Sequence, residues 1–238
     1  GLLWYLKNTE VVPSTGGTYT EGILGQPSII NPILQNGNGV DRDLSALFFA
    51  NLETLIESVK HSDDGRIWTV DLKQNLKWSD GEPLNTEDVL YAIDLIQDPK
   101  TNSPLLQTWQ GVVVERLSER EFRLTLKTPY AFLLDNLNEL RVIPKHIFSA
   151  IPSSNLKLSS FNLEPVGSGP YRFIRNTKER DGFITDMYAE ANPYFANAKA
   201  LINDLRIRFF KNGETLLKNF NRLEVSGFGG LDATQLEH

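Results

Sequence analysis

The sequence predicts an α/β fold with mixed sheets. Two periodicities take turns along the chain. Apolar residues recur at every second position in Trp68, Val70 and Leu72 and in Phe122, Leu124 and Leu126, whereas Val89, Ala92, Ile93 and Ile96 fall on one helical face. A length of 238 residues with 40% hydrophobic content can bury the core of one large or two modest domains.

The first strand is expected at Tyr19–Leu24, and Gly25-Gln26-Pro27 and Asn31-Pro32 punctuate the loop behind it. Loops at strand ends commonly carry ligands, so Gln26 and Pro27 are candidate contacts. Asp41 to Ser45 should cap a helix running through Leu47, Phe48, Leu52 and Leu55. Asp63-Asp64-Gly65 supplies a turn, because glycine tolerates positive φ, and Trp68–Leu72 follows as a half-buried strand. Trp78-Ser79-Asp80-Gly81 turns the chain again. Asn85 with Asp88 three residues on forms a capping box in which Asp replaces Glu, and Asp98-Pro99 stops that helix because a residue before proline avoids the helical region.

Val112–Val114 and Phe122–Leu126 should pair as antiparallel strands joined through Ser118-Glu119-Arg120. Residues 131–140 read as a helix carrying Leu133, Leu137 and Leu140. Arg141, just beyond it, could hold a ligand carboxylate by a bidentate contact, or simply be a surface charge. The Ser-, Asn- and Pro-rich residues 149–164 read as an exposed connection. After Gly167-Ser168-Gly169-Pro170, strands are expected at 171–174, 183–189 and 205–210, then a helix with Leu216, Leu217, Phe220 and Leu223 on one face. Gly227 to Gly230 suits a hinge-like crossing, since glycine permits the angles this needs.

Several function classes fall away. A net charge of -6 without a basic run argues against nucleic acid, and the absence of cysteine removes disulfides and thiolate metal sites. The acidic pairs Asp63-Asp64, Asp80/Glu82 and Glu87-Asp88 sit in turns or a first helical turn, where local structure explains them without catalysis. His61 and His146 lie in no metal-ligand spacing. Gly167-Ser168-Gly169 leads into a strand rather than a helix, so it is no nucleophile elbow, and it lacks the Lys-Ser/Thr ending of a phosphate loop. It reads as a structural corner at which Ser168 is also a candidate ligand contact. No catalytic residue, metal or cofactor is expected.

WTVDLKQNLKWSDGEPLNTEDV, from Trp68 to Val89, closely resembles the YTFxLRxGVKFxDGxPLTAEDV strand of the solute-binding proteins of peptide and nickel ABC transporters. Gly16 to Thr20 with Asn31-Pro32, Asp98 to Pro104, Pro165 to Tyr171 and Asn192-Pro193-Tyr194-Phe195 resemble further motifs of that family, in the same order. The resemblance implies a periplasmic-binding-protein-like fold of the peptide-binding cluster. Residues 16–40 and 161–226 would form the main lobe, 41–160 an inserted α/β subdomain, and 227–235 the start of a crossing to a second lobe that is missing here. Residues 1–15 would be an N-terminal approach whose apolar Leu2–Leu6 is either an anchor remnant or an ordinary terminus, and 236–238 a tag scar.

The resemblance further implies a monomeric, non-enzymatic, extracytoplasmic and membrane-anchored receptor. It would capture a peptide or other small solute and deliver it to an ABC permease. A sensor or interaction module built on the same lobe is the alternative. Such receptors place an aromatic residue near the ligand after the loop at 98–104, which makes Trp109, and with it Gln107, candidate contacts.

Overall fold

The computed structural model describes residues 16–35 and 37–229. The expectations for residues 1–15, for Gly230 and for 231–238 lie outside them. Strand β1 (Thr18–Leu24) is followed by helix α1 (Gly39–Phe48), the single turn α2 (Leu52–Leu55) and the hairpin β2 (Ile56–His61) and β3 (Ile67–Leu72). Then come α3 (Thr86–Gln97), the short α4 (Leu106–Trp109), β4 (Val113–Arg116), β5 (Glu121–Thr125), α5 (Leu133–Glu139) and α6 (Lys145–Phe148). The chain continues through β6 (Tyr171–Lys178), β7 (Ile184–Ala191), β8 (Asp204–Phe210), α7 (Gly213–Asn221) and β9 (Gly227–Gly229).

Two sheets result. One has the order β6-β7-β8-β1-β9, antiparallel through β8 and parallel from β8 to β9, and is therefore mixed. The other, β2-β3-β5-β4, is wholly antiparallel, with Val114 facing Leu124 and Trp68 facing Leu124 across the ladder. Residues alternate in burial along β3 and β5, so Val70, Leu72, Phe122 and Leu124 turn inward. One contiguous apolar core joins both sheets, from Met187 and Ile207 through Phe48 and Trp78 to Phe122. A small satellite of Phe210, Leu216 and Val225 lies beneath α7.

The capping box is formed as expected: Glu87 N donates to Asn85 Oδ1 at 2.8 Å and Asn85 N donates to Asp88 Oδ2 at 3.0 Å. Asp88 also accepts from Lys145 N at 2.9 Å, so α6 hangs from the start of α3, and burial pushes the Asp88 carboxyl above its usual range. Lys145 Nζ reaches Glu87 at 2.9 Å, and His146 Nε2 lies 2.8 Å from Asp80 Oδ2.

Two expectations change. The helix expected from Asp41 to Leu55 starts earlier, at Gly39, with Asn38 as its cap, and breaks after Phe48. Asp41 is buried inside it and accepts from Ser28 N and Oγ at 2.7 and 2.6 Å, so its carboxylate serves the loop rather than the cap. The connection at 149–164 is not simply exposed. Two 3₁₀ turns there bury Leu156 and Asn162, and Asn162 binds both Asn31 and the Ile30 backbone, closing the loop after β1. Gly227–Gly229 is an edge strand, parallel to β1, in the stretch where the glycines suggested a crossing.

The break in α1 has a cause. Gly169 N donates to Phe48 O at 2.7 Å, and Ala50 N donates to Ser168 Oγ at 3.2 Å, so the backbone groups that would prolong the helix are taken by the glycine loop. Ser79 N donates to Gly167 O at 2.8 Å, and Asn192 Nδ2 donates to Gly169 O at 2.8 Å. Three segments meet at this loop. A Cβ on Gly169 would fall 2.6 Å from Leu47 O, and one on Gly167 would overlap Phe48 O, so only glycine allows the approach.

Gly169→Ala should therefore lower stability by about 3 kcal/mol or more, the upper range for forced overpacking, in urea denaturation. A loss under about 1 kcal/mol would contradict this close approach. A second prediction concerns pH. The Lys145 ammonium, with Arg116, holds Glu87 below its ordinary 4.5, so the pair adds stability above that value and loses it as pH falls through the lower folded value. Glu87→Gln should lower Tm at pH 7, and calorimetric scans should show the gap to wild type closing in acid.

Candidate functional site

Four elements bound a cleft of about 510 Å³: the loop at Pro32 and Gln35, the Arg42–Ala46 side of α1, the turn of α4 with Leu105, Thr108 and Trp109, and the α5 end from Asn136 to Arg141. Each wall is fixed locally. Gln97 Nε2 donates to the carbonyls of Trp109 and Val112 at 2.6 and 2.7 Å, so the end of α3 holds α4 in place. Gln35 Nε2 donates to Asp41 O at 3.0 Å, tying its loop to α1.

The structure brings two predicted residues together here. Trp109 is 2% exposed and forms the apolar wall with Leu105 and Leu140. Arg141 is half-buried; its Nε donates to Phe49 O at 3.1 Å and its Nη1 to Glu139 O at 3.4 Å. The Phe49 carbonyl is free to receive it because α1 has broken. Among the described residues Arg141 forms no ion pair, so its remaining N–H groups can bind an anion. Arg42 and Asp43 pair at 3.6 Å on the rim, where solvent makes such a pair weak.

Sequence reasoning missed Ser45. It lines the cleft from within α1, is 2% exposed, and its hydroxyl finds no hydrogen-bond partner among the described residues. No periodicity marks a mid-helix serine as functional. Asn136, also missed, lines the cleft and donates to Tyr130 Oη at 3.4 Å.

The other predicted residues lie elsewhere. Gln26 Oε1 accepts from Ile184 N at 2.9 Å, and its carbonyl accepts from Asn38 Nδ2 at 3.4 Å, so it stitches the loop after β1 to β7. Pro27 is buried beside it. Ser168, also buried, belongs to the glycine loop and does not line the cleft. Gln107 is exposed and lines a neighbouring hollow of about 440 Å³. A wider concavity of about 700 Å³ between β1 and α1 contains none of the predicted residues.

A cation anchored by carbonyls, an apolar aromatic wall and side-chain amides suit reversible capture of a polar organic solute. Among the described residues no group of three or more His, Cys, Asp or Glu could hold a metal ion. His146 is engaged by Asp80, outside the cleft.

Residues 53–238 match the family model described as bacterial extracellular solute-binding proteins, family 5 Middle. The chain belongs to this family. The oligopeptide-binding protein AppA of Bacillus subtilis is 27% identical over 251 residues, covering 92% of this chain and 46% of AppA. The AppA structure in complex with a nonapeptide superposes with a TM-score of 0.83 at 22% identity, covering 95% of this chain and 46% of that one. The ABC transporter substrate-binding protein CtaP of Listeria monocytogenes gives 0.77 at 28% identity, over 89% of this chain and 44% of CtaP. The chain thus spans less than half the length of the relatives it matches. The chain shares the fold of these structures, one a substrate-binding protein and the other an oligopeptide-binding protein.

An unpartnered buried hydroxyl costs about 1–3 kcal/mol, and alanine favours the helix. Ser45→Ala should consequently leave the ligand-free protein equally stable or more stable in chemical denaturation. A loss above about 1 kcal/mol would show that the hydroxyl has a partner.

Proposed function

We propose that this chain supplies ligand-contacting surface to the substrate-binding component of an ABC transporter. The receptor captures peptides or a related small solute outside the cytoplasmic membrane, as a monomer, and delivers them to a membrane permease. The observation that carries this reading is that Trp109 and Arg141 line one cleft, with the guanidinium held by two carbonyls. A ligand carboxylate would dock on Arg141 while its apolar part lies against Trp109 and Leu140. That AppA is an oligopeptide-binding protein and has been seen with a nonapeptide supports a peptide ligand.

No helix among the described residues is long and apolar enough to cross a membrane. Retention at the membrane surface belongs to the same reading.

Trp109 is too deeply packed for a clean alanine test, since removing a buried tryptophan costs about 3–5 kcal/mol of stability. Arg141→Met keeps the stem and removes the charge. Titration calorimetry of the full native protein against a library of short peptides should find binders, and Arg141→Met should weaken those with a free carboxylate roughly 10- to 100-fold. Unchanged affinity would remove Arg141 from the site, and no peptide binding to wild type would overturn the peptide reading.

A further inference from the structure

A hollow of about 370 Å³ shares no lining residue with the cleft. One rim is the loop from Lys73 to Lys77, between β3 and α3, and the other is the turn from Pro193 to Asn197 that follows β7. Both rims are fixed by neighbours. Lys73 N donates to Leu55 O at 2.9 Å and Leu84 N to Leu76 O at 3.0 Å, which ties the first loop down at each end. Asn192 holds the second rim: its Oδ1 accepts from Tyr194 N at 3.0 Å, and its Nδ2 donates to Gly169 O at 2.8 Å, so the turn hangs from the glycine loop.

The charge of this hollow is opposite to that of the chain. The protein carries a net charge of -6, yet Lys73 and Lys77 line the hollow and no Asp or Glu does. Among the described residues neither lysine forms an ion pair, and a neutral group positions each ammonium. Lys73 Nζ donates to Thr54 O at 2.8 Å, and Lys77 Nζ lies over the Tyr194 ring, 5.2 Å from its centre. One carbonyl or one ring face satisfies only part of an ammonium's three N–H groups, so both lysines keep donors for an anion. Gln74 and Asn75 are exposed, and neither side-chain amide has a hydrogen bond among the described residues, which adds two more donors. Leu76 is buried and Phe195 half-buried, and they supply an apolar part of the lining.

Two unpaired cations call for two negative charges, and the apolar lining calls for carbon between them. The volume lies at the small end of small-molecule sites, which begin at about 300 Å³. We propose that this hollow binds a small organic dianion of the dicarboxylate class, with one carboxylate on Lys73, the other on Lys77 and the carbon chain against Phe195. The site is separate from the cleft and does not depend on what the cleft receives. Because its two rims belong to segments more than one hundred positions apart, an occupant links them and stabilises the folded chain by mass action.

The test is an NMR titration of the full native protein, labelled with nitrogen-15 at lysine and tyrosine, with succinate, acetate and inorganic phosphate at constant ionic strength. Succinate should move the backbone amides of Lys73, Lys77 and Tyr194 along a saturable curve, and acetate, which can meet only one lysine, should bind about fivefold more weakly. Lys77→Gln and Lys73→Gln should each weaken succinate about fivefold, and Tyr194→Phe, which keeps the ring beneath Lys77, should leave its affinity unchanged. Lys73→Gln gives up the bond to Thr54, so Lys77→Gln, which breaks no hydrogen bond, carries the test if that variant unfolds. Shifts that do not saturate, or that Lys77→Gln leaves unaltered, overturn the site. Phosphate binding as tightly as succinate would show a site for any oxyanion and overturn the dicarboxylate class.

Discussion

The break in α1 at Phe48 to Ala50 is the constraint on which the rest of the molecule depends. A helix that ends in a buried place leaves carbonyls and amides that must find partners. Here Gly169 N takes the Phe48 carbonyl, Ser168 Oγ takes the Ala50 amide and Arg141 Nε takes the Phe49 carbonyl. Three consecutive residues thus bind segments about ninety and about one hundred and twenty positions away, and the two sheets are joined there. The glycines at 167 and 169 are required because the loop's backbone lies directly against the helix end.

The candidate site inherits its geometry from that joint. Arg141 is aimed by the Phe49 carbonyl, which is available only because the helix stops. Trp109 is held by the reach of Gln97 from the end of α3, and α3 is in turn anchored by its capping box and by Lys145. The side chains that would touch a solute therefore rest on rigid elements, and two of them have another task. Trp109 belongs to the core, and Arg141 satisfies two carbonyls. On the proposed reading Trp109 and Arg141 would serve binding and stability at once, so substituting either one would perturb both.

Much of the fold was legible because local physics writes it. The alternation at Trp68–Leu72 and Phe122–Leu126, the Asn85 box and the Asp98-Pro99 stop each depend on neighbours in sequence, and each is found where expected. The break in α1 was not legible, since its partners are remote in sequence and Leu52 and Leu55 continue the apolar spacing across it. The packing of 149–164 was hidden for the same reason: a polar composition suggests exposure, but the amide of Asn162 is satisfied internally by Leu156 and Asn31. At the cleft, Trp109 was singled out through the family resemblance and Arg141 through its bidentate chemistry, and both line it. Gln26 and Ser168 looked alike in kind, and only tertiary structure turns their polar groups toward β7 and α1. Ser45 carried no sequence signal at all.

That the cleft walled by Trp109 and Arg141 receives the solute is a proposal about one place in the molecule. Its most direct test is a crystal structure of the full native protein with the ligand it retains through purification. The claim predicts ligand atoms packed against Trp109, with an anionic oxygen about 3 Å from the Arg141 guanidinium. Ligand density that touches neither residue would contradict it.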